Sequence, residues 1–172
     1  GYDLNEPRVI TDQLLLERLE DKELEEDAYD KEYSRAVTKM WRNKAVADTY
    51  EPGSTFKVFS FAAGLNENKF DMFKDTYYDK GYEIIDGRTI KSWKKGGHGL
   101  QTFLEVLENS SNPGFVEISK RLGKDVLYKY VKDFGFSKKT NVDLVGETTG
   151  IFYPYDNYTT LNNATVSFGQ GI

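Results

Sequence analysis

Pro52-Gly53 runs straight into Ser54-Thr55-Phe56-Lys57-Val58-Phe59-Ser60-Phe61-Ala62-Ala63-Gly64-Leu65, a chain break followed by an apolar run of helical character. Proline and glycine interrupt regular structure, so a helix is expected to open here and to end near Gly64. Ser54 then lies in the first turn, with Lys57 one turn later on the same face. A hydroxyl there sits near unbonded backbone N–H groups and the positive end of the helix dipole. The lysine can reach that hydroxyl, and burial among apolar neighbours lowers an amine's pKa far enough for it to act as a base. Such a pair can activate a serine nucleophile with no histidine.

The four-residue motif is common by itself. Nine serines and seventeen lysines in 172 residues make about one Ser-x-x-Lys match a matter of chance. The chain has two, and the second, Ser92-Trp93-Lys94-Lys95, leads into Gly96-Gly97-His98-Gly99, a loop in which no helix fixes the two side chains. Ser54 is therefore the candidate nucleophile and Ser92 the decoy.

Further limits come from composition. A length of 172 residues suits one domain. A formal charge of −5, with basic residues scattered rather than striped, argues against nucleic acid as a partner. The absence of cysteine excludes disulfides, a thiol nucleophile and thiolate metal sites, so no metal or cofactor is assigned. With His98 the only histidine, a His-rich metal site is excluded as well. No apolar run is long enough for a membrane span.

Along the chain, Asp12 reads as the N-cap of a helix to about Glu26. The acidic cluster that closes it (Glu20, Asp21, Glu23, Glu25, Glu26, Asp27) reads as a solvated face. Tyr82–Ile85 and Arg88–Lys91, separated by Asp86-Gly87, form a hairpin pattern. Thr102-Phe103-Leu104-Glu105 matches a capping box and predicts a helix over Phe103 to about Glu108. Pro113 blocks its continuation and should push Asn112 out of the α region, so Ser110-Ser111-Asn112 falls on a sharp turn between helices. Helices over Gly114–Leu122 and Lys124–Phe134 follow, each stopped by a glycine. An extended stretch from Asn141 to Phe152 and a Tyr/Pro-rich loop from Tyr153 to Tyr158 come next.

A helix-borne Ser54-x-x-Lys57 followed 56 residues later by Ser110-x-Asn112 is the order found in penicillin-binding proteins and related β-lactamases. The segment Asp48-Thr49-Tyr50-Glu51-Pro52-Gly53-Ser54-Thr55-Phe56-Lys57 resembles the nucleophile segment of class B penicillin-binding transpeptidases. Tyr2-Asp3-Leu4-Asn5, Gly97-His98-Gly99, Ser110-Ser111-Asn112-Pro113 and Ser167-Phe168-Gly169-Gln170-Gly171-Ile172 resemble further blocks of that family. The likeness covers nearly the whole chain except an acidic helical insert at about residues 12–33. Its flavour is that of Gram-positive septal or sporulation enzymes.

This resemblance implies an α+β fold, an antiparallel sheet packed against helices, with these residues supplying mainly helices. It also implies a D,D-transpeptidase that cross-links peptidoglycan stem peptides through an acyl-serine and is acylated by β-lactam antibiotics. Ser54 would be the nucleophile and Lys57 the group that takes its proton. Ser110 would relay a proton between the leaving amine and Lys57, while Asn112 holds the substrate and orients Lys57. The Ser54 N–H would form half of an oxyanion hole. Tyr50, Trp93 and Ser111 are assigned to substrate binding, although core packing is the simpler role for Trp93. His98 reads as a brace of the cleft, since Ser/Lys chemistry needs no imidazole. The family's third motif, Lys-Thr/Ser-Gly, has no counterpart here, because Lys139-Thr140 is followed by Asn141 and comes too early. The expectation is therefore a partial transpeptidase domain over residues 1–172, inactive alone, with the third motif beyond Ile172. The resemblance further implies a membrane anchor outside these residues, an extracytoplasmic location and a glycan polymerase as partner. The competing readings are a β-lactam sensor or a β-lactamase of the same fold, and a non-catalytic cell-wall scaffold.

Overall fold

The computed structural model describes residues 2–20 and 26–172, which fall into two compact units. One comprises Gly1–Asp48 with Asn141–Thr148, the other Thr49–Thr140 with Thr149–Ile172.

In the first unit, α1 spans Gln13–Glu20, α2 Glu26–Trp41 and α3 Lys44–Ala47. The Asp12 side chain accepts from the Leu15 N–H (3.2 Å), which bears out the expected helix start. Leu15 and Leu19 of α1, four residues apart, meet Ala36 and Val37 of α2 and Ile10 in a small core. Asp21, Glu23 and Glu25 of the acidic cluster lie outside the described residues. Glu26 and Asp27 open α2 and are exposed, where carboxylates favour a helix N-terminus. The sequence pattern missed α2, because only two of its sixteen residues are buried and its helical period is faint. Asn141–Thr148 contains no strand.

In the second unit a 3-10 turn, Gly53–Phe56, passes directly into α4, Lys57–Asn66. The expected stop at Gly64 is wrong by two residues. Gly64 sits inside α4 for another reason: a Cβ there would stand 2.3 Å from the Phe70 ring. The missing side chain lets Phe70 close on the helix and stack on Phe103 (centroids 4.4 Å apart). β1 (Thr76–Asp79), β2 (Tyr82–Ile85), β3 (Arg88–Lys91) and β4 (Gly99–Thr102) form two antiparallel pairs, β2 with β3 and β1 with β4. Asp86 and Gly87 both take positive φ in the hairpin turn, as the sequence pair implied. In β1–β4, Asp79 lies opposite Gly99.

The capping box is formed as expected. Thr102 accepts from the Glu105 N–H, the Glu105 carboxylate accepts from the Thr102 N–H, and α5 spans Phe103–Glu108. α6 spans Asn112–Leu122, two residues longer at its start than the pattern suggested. Asn112 is therefore helical, a correction to the expected effect of Pro113. That proline occupies the first turn, where its missing N–H costs no bond. α7 (Lys124–Asp133) stops before Gly135, whose φ is +85°. α8 (Thr160–Val166) went unseen, because its capping box is Thr159 with Asn162 rather than a glutamate. Phe61 of α4, Phe103 and Val106 of α5, Phe115 and Ile118 of α6 and Phe168 share the main core of this unit. Burial of those side chains fixes α4 against α6, and this pairing sets the site.

Candidate active site

Ser54 is exposed in the 3-10 turn, and Lys57 is the first residue of α4 with only 1% of its surface accessible. Its amine lies 5.2 Å from the centre of the Phe115 ring. Lys57 Nζ donates to Ser110 O (2.7 Å), Ser110 Oγ (2.8 Å) and Asn112 Oδ1 (2.7 Å), so all three ammonium protons have acceptors. Burial nevertheless pushes the Lys57 amine down to about 8. Ser110 Oγ donates in turn to Ser54 Oγ at 3.2 Å. The sequence suggested that Lys57 reaches Ser54 directly; in the structure the hydroxyl of Ser110 stands between them.

Ser110 can occupy that place because the turn between α5 and α6 is sharp. Its φ is +50°, a left-handed conformation that serines seldom adopt. The result aims its carbonyl, its hydroxyl and the Asn112 amide at one amine. Four residues from two distant stretches thus converge: Ser54, Lys57, Ser110 and Asn112.

The other three candidates part from them. Ser111 is fully buried and cannot face a substrate. Its Oγ donates to Asp79 Oδ2 (2.9 Å) and accepts from the Gly114 N–H (3.2 Å), capping α6. Trp93 is 72% exposed and so is not a core residue. Its Nε1 donates to Asn109 O (2.9 Å), immediately before Ser110, and its ring meets His98 edge-on at 5.3 Å. Tyr50 is 81% exposed, four residues before Ser54. His98 Nδ1 lies 2.9 Å from Asp79 Oδ2. Because the carboxylate only accepts, Nδ1 carries the proton. At Asp79, burial acts to raise the pKa, but hydrogen bonds from His98, the Gly81 N–H and Ser111 outweigh it and hold the carboxyl below its usual range.

Two sets of contacts at the site were not foreseen from the sequence. Asp79 stands in Tyr77-Tyr78-Asp79-Lys80 with no recognisable motif around it. Glu51 and the Gly169–Gly171 segment are 120 residues apart or nearly so, yet Gly53 N–H donates to Gly169 O (2.9 Å) and Gly171 N–H to Glu51 Oε1 (2.7 Å). These two bonds tie down the turn that carries Ser54.

The profile of the penicillin binding protein transpeptidase domain matches residues 19–172, which include every residue of this site. The chain belongs to the penicillin-binding protein transpeptidase family. It is 55% identical over 131 residues to Stage V sporulation protein D of Bacillus subtilis, covering 76% of the chain and 20% of that protein. Over 131 residues it is 30% identical to the probable peptidoglycan D,D-transpeptidase PbpC of Pseudomonas aeruginosa, covering 76% of the chain and 23% of PbpC. The chain thus spans about a fifth of the length of these relatives. Among solved structures it resembles the transpeptidase domain of penicillin-binding protein 3 from Burkholderia pseudomallei, with a TM-score of 0.70 and 26% identity over 76% of the chain and 39% of that one. A peptidoglycan synthetase from Bifidobacterium adolescentis gives a TM-score of 0.71 and 30% identity over 80% of the chain and 24% of that one. The expected α+β transpeptidase fold is therefore the fold of this chain.

Proposed function

We propose that the chain is the serine-bearing part of a class B peptidoglycan D,D-transpeptidase. The observation that carries this reading is the chain of hydrogen bonds from a buried Lys57 amine through Ser110 to an exposed Ser54. Neutral Lys57 takes a proton from Ser110 Oγ as Ser110 takes one from Ser54 Oγ. Ser54 attacks the carbonyl between the two terminal D-alanines of a stem peptide. The C–N bond breaks, the acyl group stays on Ser54, and the departing D-alanine amine receives the proton back through Ser110. An amine of a neighbouring stem peptide then attacks the ester and surrenders its proton along the same route, which restores Ser54. A β-lactam ring opens onto Ser54 by the first half of this cycle. Asn112, held by Lys57, presents its amide N–H groups to the substrate backbone, and Tyr50 and Trp93 offer exposed rings beside the cleft.

The carboxylate clamp of the third motif belongs, in this reading, to further residues of a longer polypeptide; relatives in which the matched residues make up only about a fifth of the length support it. The likeness to Stage V sporulation protein D supports a sporulation role. A peptidoglycan substrate places the site on the outer face of the cytoplasmic membrane, where a glycan polymerase supplies strands to be cross-linked. Among the described residues no helix is long and apolar enough to cross a membrane; in this reading the anchor is a segment of the longer polypeptide.

The test is labelling of the longer polypeptide with a fluorescent penicillin and mapping of the adduct. The label is expected on the peptide that contains Ser54, in an acyl-enzyme that outlasts many turnovers of a β-lactamase. A label elsewhere, or rapid release of hydrolysed penicillin, would contradict the reading. The rate also carries a sign in pH. Lys57 must be neutral to accept a proton, and its folded pKa is about 8, so the acylation rate constant should rise as pH increases through about 8 and then level. A flat profile from pH 7 to 9 would remove Lys57 as the base.

A further inference from the structure

Asp79 is wholly buried at the end of β1 and is an acceptor for three donors. Gly81 N–H donates to Oδ1 (2.7 Å), while His98 Nδ1–H and Ser111 Oγ–H both donate to Oδ2 (2.9 Å each). A carboxylate removed from water destabilises a fold unless its oxygens are bonded, and here they are. Its effect on Ser111 is specific. A hydroxyl has one proton; by taking it, Asp79 leaves the Ser111 lone pairs directed at the Gly114 N–H, the bond that caps α6. Asn112 is the first residue of that helix.

The Ser110–Asn112 turn is therefore gripped from two sides. Lys57 holds Ser110 and Asn112 from the start of α4, and Asp79 holds Ser111 from the end of β1. His98 lies between Asp79 and Trp93, whose indole bonds Asn109 just before the turn. A strained conformation such as that of Ser110 persists only where its surroundings over-determine it. We propose that Asp79, acting through Ser111 and braced by His98, is the positioning residue that sets Ser110 and Asn112 within hydrogen-bonding distance of Lys57. This inference rests on the acyl-transfer reading above and extends it to a residue that touches neither substrate nor nucleophile.

The experiment compares Asp79→Asn, Ser111→Ala and the double variant in the longer polypeptide. Stopped-flow acylation by a fluorescent penicillin separates initial binding from the acylation step, and thermal melting is followed alongside. Asparagine keeps the shape of Asp79 but cannot accept all three donors, and alanine at 111 deletes a single oxygen. Each single variant is expected to slow the acylation step by about 10- to 100-fold, a loss typical of a displaced reacting group, with initial binding within about threefold of the unsubstituted protein. The double variant should be no slower than the slower single, because both act on one element. Acylation unchanged in either single, measured well below its melting temperature, would overturn the proposal. So would losses that multiply in the double variant. Should Asp79→Asn fail to fold, Ser111→Ala decides by the same criterion. If the unsubstituted protein is not acylated at Ser54, the acyl-transfer reading falls and the positioning role with it; if it is acylated and the variants match it, only the positioning role falls.

Discussion

Lys57→Met is expected to slow acylation by a penicillin about 10²–10⁴-fold, the usual contribution of a positioned general base, while leaving the protein folded. Methionine is unbranched, of similar length and content in an apolar slot, so the space beside Phe115 stays filled. The substitution removes an amine whose burial disfavours its charge, which offsets part of what is lost. Ser110 and Asn112 lose their shared donor, but both are only half-buried, and water can take its place. Stability should therefore change by a few degrees of melting temperature while the rate changes by orders of magnitude. Far-UV circular dichroism and melting, measured beside the acylation rate, separate these two effects. A Lys57→Met protein that acylates at the original rate would show that the hydrogen bonds of Lys57 serve only the fold.

What the sequence made legible was local chemistry. The Thr102–Glu105 capping box, the Asp86-Gly87 turn and the Pro52-Gly53 break are each written in neighbouring residues, and each formed. The four converging site residues were legible for the same reason, since each pair lies in a short motif on or beside a helix start. Where the reading failed, the deciding partner was distant. Gly64 looked like a stop because its role depends on Phe70 packing across from it. Ser111 looked available to a substrate because nothing near it announces Asp79, 32 residues earlier. Trp93 looked like core because a large apolar ring usually is, yet its indole N–H is bound to Asn109 O at the surface. Lys57 was placed on the correct face, but whether it met Ser54 directly or through Ser110 depended on a left-handed φ at residue 110 that serine does not encode. Helix α2 shows a different limit: with two buried residues in sixteen, its apolar period is too weak to read.

The same distance effect makes Gly169→Ala a strongly damaging substitution outside the four converging site residues. A Cβ on Gly169 would stand 2.0 Å from the Gly53 carbonyl oxygen and 2.8 Å from the Gly53 nitrogen, both backbone atoms that cannot rotate away. The φ of Gly169 is +81°, so alanine is also strained by its own conformation. Strain of about 1–2 kcal/mol and overpacking of about 1–3 kcal/mol add to roughly 2–5 kcal/mol of lost stability. For a chain of this size that is a fall in melting temperature of about 5–15 °C. Relief of the clash requires Gly53 to move, which breaks its N–H bond to Gly169 O and shifts Ser54, the next residue. Acylation should fall with stability, even at temperatures where the protein stays folded. Gly87→Ala is the control, because Gly87 has a similar φ of +75° with no atom within 4 Å of the added carbon. It should lose only the conformational part and should acylate normally. Equal melting temperatures for the two variants would mean that the turn bearing Ser54 yields without cost, and that its register is set by α4 alone.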